Sequence, residues 1–134
     1  MTIINQLGAA FGIGKYVCED VIFNNSADVF SIPKMYSARD IHTPMASVFY
    51  APRLRESGHI WAQNAKIISI PKLWLSGNIY AFCAKKIEAP NTWATIYCSG
   101  ATVVNAPNAV IKRGNWVIIN NVIKDKCRQK NRSY

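Results

Sequence analysis

The 134-residue sequence is poor in acid: seven carboxylates and two histidines stand against sixteen lysines and arginines. Glu19, Asp20, Asp28, Asp40, Glu56, Glu88 and Asp125 form no recurring column that could build a polysaccharide-cleaving or calcium site. The four cysteines, Cys18, Cys83, Cys98 and Cys127, make no CxxC pair and share no metal-ligand spacing with His42 or His59. Gly14-Lys15 lacks the rest of a phosphate loop, with Ala9 where a glycine and Tyr16 where a serine or threonine is required. A noncatalytic chain without metal or cofactor is expected. No apolar run approaches the roughly 20 residues that span a bilayer, and no cleavable signal pattern precedes the repeats. A reducing cytoplasm is the simplest setting for the thiols.

What the sequence does have is a period. Pro33, Pro52, Pro71, Pro90 and Pro107 recur at intervals of 19, 19, 19 and 17 residues. Four further series keep the same offsets: Ile22/Ile41/Ile60/Ile79/Ile96, Phe30/Phe49/Ile68/Ile87/Val104, Ile32/Ala51/Ile70/Ala89/Ala106 and Ala27/Ala46/Ala65/Ala84/Ala101. A solenoid requires such columns, because each coil presents the same inward side chains to the next. The period is too short for a helical pair, and the β-branched and aromatic columns favour short strands. The expected fold is all-β: one domain, a parallel β-helix or solenoid of five to six coils of 17–21 residues, right-handed by crossover chirality. Proline cannot donate to a ladder, so its series marks a corner. The coils fall at 22–40, 41–59, 60–78, 79–95 and 96–115, with a partial sixth from Trp116 to Ile123. Glycines such as Gly58, Gly77 and Gly114 fit a second corner that needs positive φ or close packing.

Three regions follow: residues 1–21 before the repeats, a solenoid domain over 22–123, and a basic tail over 124–134. In the first, Ile3, Ile4, Leu7 and Phe11 have a helical spacing weakened by glycines, and two roles are open, a cap over the first coil or a membrane-targeting segment. The tail protects the far edge or is drawn to an anionic surface.

Two outward columns are candidate sites. Phe23, His42, Trp61, Tyr80 and Tyr97 follow the isoleucines and therefore point away from the core, as an interface or as a ladder that stacks on itself or is covered by the N-terminal segment. Lys34, Arg53 and Lys72 follow the prolines; like charges one coil apart repel unless solvent or an anion relieves them, so they read either as solvated corners or as an anion-binding track. A net charge of +9 makes anionic partners plausible without choosing among membrane headgroups, nucleic acid and acidic polymers.

Segments such as Ser57-Gly58-His59-Ile60-Trp61-Ala62 and Ser76-Gly77-Asn78-Ile79-Tyr80-Ala81 resemble the G-x-I-x-A coils of bactofilins over roughly residues 41–123. That resemblance implies a right-handed β-helix, nucleotide-free polymerisation through the terminal coils and an N-terminal membrane-targeting peptide. The expected function is a scaffolding protein that self-associates through its ends as a cytoskeletal polymer in the cytoplasm, peripheral at the inner face of the membrane. The alternative is a module that binds nucleic acid or acidic lipid through the basic track and tail, nucleic acid being the less favoured of the two.

Overall fold

The computed structural model describes residues 10–12, 21–23, 28–114, 116–119 and 122–125, with side chains over 21–23 and 28–114. The described chain is a parallel β-solenoid without a helix. One six-stranded sheet contains β2 (Ile22–Phe23), β4 (Ile41–His42), β6 (Ile60–Trp61), β8 (Ile79–Tyr80), β10 (Thr95–Cys98) and β12 (Val110–Arg113). The other contains β1 (Ala10–Gly12), β3 (Val29–Ser31), β5 (Val48–Tyr50), β7 (Ile67–Ser69), β9 (Lys86–Glu88) and β11 (Val103–Asn105). Successive strands alternate between the two sheets, so each coil adds one strand to each and every neighbour in a sheet lies one coil away.

Register follows the apolar columns. Ile22, Ile41, Ile60, Ile79, Ile96 and Ile111 pair in series on the first sheet. Phe30, Phe49, Ile68, Ile87 and Val104 do so on the second. The first five isoleucines and the first four members of the second series are fully buried. A slip of one residue would turn each column to solvent, which is why the period fixes the pairing so strongly.

Each prolyl corner is a β-turn. Met35, Leu54, Leu73, Thr92 and Ala109 donate their N–H groups to the carbonyls of Ile32, Ala51, Ile70, Ala89 and Ala106, three residues earlier. Proline therefore occupies the second turn position, where its fixed φ suits the turn and its missing donor costs nothing. The flanking residues turn inward, and Met35, Leu54, Leu73 and Thr92 form a buried column of their own. A second turn joins the two sheets, closed by Ala46, Ala65 and Ala84 bonding to Thr43, Ala62 and Ala81. Pro44, the sixth proline, takes the same second position there. A third line of stacking, Ser37 to Glu56 to Leu75, consists of isolated parallel bridges.

Three expectations are revised. Ile96 pairs with Ile111, so the fifth coil is 15 residues long, shorter than the 96–115 read from the sequence. The preceding coil, 17 residues from Ile79 to Ile96, lacks a counterpart of Ser76-Gly77; coil length here is set at that corner. In place of a partial sixth coil from Trp116, β13 (Trp116–Ile119) and β14 (Val122–Asp125) form an antiparallel hairpin that joins neither large sheet. Helical spacing at Phe11 gives way to strand: Ala10, Phe11 and Gly12 pair with Val29, Phe30 and Ser31. Of the two roles open to the corner glycines, Gly58 and Gly77 serve close packing, without a left-handed φ. A Cβ on Gly58 would collide with Oδ1 of Asp40, and one on Gly77 would lie 2.5 Å from Nδ1 of His59.

Candidate functional site

The aromatic column is a continuous stack. Phe23 lies 4.3 Å from His42, His42 5.9 Å from Trp61, Trp61 3.8 Å from Tyr80, and Tyr80 5.2 Å from Tyr97, with rings inclined by no more than 22°. The ammonium of Lys112, the next residue in the column, sits 5.6 Å from the Tyr97 ring centroid. Parallel pairing at about 4.8 Å per coil brings these rings to stacking distance, so their faces are spent on one another. Tyr80 is buried and the other four are half-buried. Burial disfavours a charged imidazole and holds the His42 pKa below its ordinary 6.5 against the pull of Asp40, while His59 lowers it further.

His59 belongs to a different column. Oδ1 of Asp40 accepts the backbone N–H of His59 at 2.8 Å, and Nδ1 of His59 accepts that of Asn78 at 2.9 Å. Two side chains of different type thus close the same corner in successive coils, and the Asn78 amide continues to the Tyr80 hydroxyl at 3.0 Å. These acceptors are committed to backbone. Among the described residues no group of histidines, cysteines and carboxylates could hold a metal ion.

The basic track behaves differently. Lys34, Arg53 and Lys72 occupy the third position of successive prolyl turns and are exposed. Asn91, next in line, turns back and donates to the carbonyl of Pro71 at 2.9 Å. Arg53 and Lys72 line a shallow cleft of about 200 Å³ together with Tyr36 and Arg55; Lys34 stands outside it. The Arg55 guanidinium lies 5.8 Å from the Tyr36 ring centroid, a cation–π approach.

The cleft opens onto a column that sequence reading missed. Arg55 donates to the Tyr36 carbonyl at 2.8 Å, Trp74 to that of Arg55 at 2.8 Å, and Trp93 to that of Trp74 at 3.4 Å. Tyr36, Arg55, Trp74 and Trp93 therefore stack one per coil, three residues after each proline. Trp74 and Trp93 are 56 % and 62 % exposed, and Leu75 beside them 52 %. Mixed residue types hid the series, although the fixed offset from the proline was a usable signal.

Of the segment Ile3, Ile4, Leu7 and Phe11, the first three lie outside the described residues, as do residues 126–134 of the basic tail. No helix among the described residues is long and apolar enough to cross a membrane. No family model, curated protein or solved structure matches the chain.

Proposed function

We propose that this protein is a noncatalytic scaffold that associates end to end, each solenoid extending the sheets of the next. The observation that supports this is a hydrogen-bond series that, among the described residues, ends at Ala89. Ile32, Ala51, Ile70 and Ala89 each donate their N–H to the carbonyl of Tyr50, Ser69, Glu88 and Asn105 in the following coil. The next member, Ala106, has no acceptor among the described residues. It lies with Val104, Pro107, Ile111 and Arg113 around an open cleft of about 380 Å³ at the C-terminal end of the stack.

The core columns loosen at the same place. Val104, Ala109 and Ile111 are only half-buried, while the equivalent residues one coil earlier, Ile87, Thr92 and Ile96, are fully buried. Among the described residues, β11 and β12 each pair on one side alone. Another parallel strand is the partner that would satisfy both the donors and the apolar columns. Sedimentation across a concentration series tests this: the natural chain should form larger species, and Val104→Lys, which places a charge at the open end, should shift the equilibrium towards monomer. A chain that stays monomeric at every concentration and salt would overturn the reading.

A second reading, an anionic partner held on the side of the solenoid, is favoured by the cleft that gathers Arg53, Arg55 and Lys72. It is compatible with assembly through the ends, because the side and the ends are different surfaces.

A further inference from the structure

We propose that the side face carrying Tyr36, Arg55, Trp74 and Trp93 docks onto the surface of an anionic lipid bilayer. The proposal rests on the second reading above and names its partner. Its basis is the combination of residue types on one straight face. Arg53, Arg55 and Lys72 supply positive charge from neighbouring coils, and Glu56, between Ser37 and Leu75 in the adjoining line of bridges, sets one acid next to Arg55. Charge alone would fit any polyanion.

The apolar members narrow the choice. Trp74, Leu75 and Trp93 expose half or more of their surface to water within two coils of the cations. Indole rings favour the boundary between headgroups and acyl chains, and cations beside them favour acidic headgroups. Leu75 decides between bilayer and nucleic acid. An aliphatic side chain gains little against phosphates or bases in water, but gains from leaving water for the acyl boundary. Backbone pairing holds Arg55, Trp74 and Trp93 about 4.8 Å apart along one line, so all three reach a flat surface together without reorganisation.

Arg53 and Lys72 then meet headgroup phosphates while Trp74, Leu75 and Trp93 enter the interface. The N-terminal region is not needed for this contact, which separates it from anchoring through Ile3, Ile4, Leu7 and Phe11.

Co-sedimentation of the full chain with phosphatidylcholine vesicles, with and without phosphatidylserine, tests the proposal. Binding should require phosphatidylserine. It should fall on the order of tenfold or more in Arg53→Glu/Lys72→Glu and in Trp74→Ala/Trp93→Ala. All four side chains are largely outside the core, and unchanged far-UV circular dichroism confirms that the variants fold. Failure to bind vesicles, or equal binding by both double variants, overturns the proposal. A fluorescent single-stranded oligonucleotide and heparin are run in parallel: charge-dependent binding to either without vesicle binding overturns the bilayer as partner and keeps the anionic reading, while no binding to any probe overturns both.

Discussion

Asp40 and His59 perform one task one coil apart with different chemistry: each accepts a backbone N–H of the following coil, and each occupies the space where a side chain on Gly58 or Gly77 would stand. Gly58→Ala and Gly77→Ala should therefore each destabilise by about 1–3 kcal/mol, read from urea midpoints. The loss at Gly58 should shrink in an Asp40→Ala background, where the obstructing carboxylate is gone. His42 gives a pH dependence. Its folded pKa lies below the 6.5 of the unfolded chain, so unfolding takes up a proton between the two values. Stability is full above 6.5, falls as the pH drops through that window, and levels off below the folded pKa. His42→Phe, which repeats the ring of Phe23, should flatten this part of the profile. Among the thiols, Cys83 is exposed and Cys98 buried, with burial pushing the Cys98 pKa up. Single-cysteine variants should show rapid labelling of Cys83 by a thiol reagent and none of Cys98 until unfolding.

At the scale of the element, the corner is a turn with a fixed grammar: buried residue, proline, exposed residue, buried residue. Replacing Pro52 by alanine leaves the turn hydrogen bond intact and should cost only about 0.4–1 kcal/mol, through greater freedom of the unfolded chain. Trp61→Ala removes a ring that stacks on both His42 and Tyr80, and the loss should reach about 2–4 kcal/mol by denaturant titration. The corner was legible because proline, isoleucine and alanine recur in type as well as place. The inward column after it was less so, since Met35, Leu54, Leu73 and Thr92 share a position but not a chemistry. Thr92 shows why such a member is tolerated: its hydroxyl accepts the N–H of Ala94 at 3.2 Å, so a buried polar group is satisfied locally. Gly114-Asn115 misled for a related reason. It copies the residues of an earlier corner, while the coil that would have ended there had already closed at Ile111.

For the molecule as a whole, periodicity determines which residues face inward, and the two surfaces proposed to work lie where periodicity stops deciding. The side face depends on exposed positions, free to differ from coil to coil, so Tyr36, Arg55, Trp74 and Trp93 form a column in space without a column of like residues. The end depends on where the stack is interrupted: Ala106 belongs to the alanine-and-isoleucine series like its predecessors, and only coordinates reveal that no described coil follows to accept its N–H. Growth by end-on stacking has a geometric signature that other modes of association lack. Small-angle X-ray scattering over a concentration series measures it directly: the overall radius of gyration should rise while the cross-sectional radius stays constant. A constant overall radius, or a cross-section that grows in step with it, would contradict assembly through the ends of the solenoid.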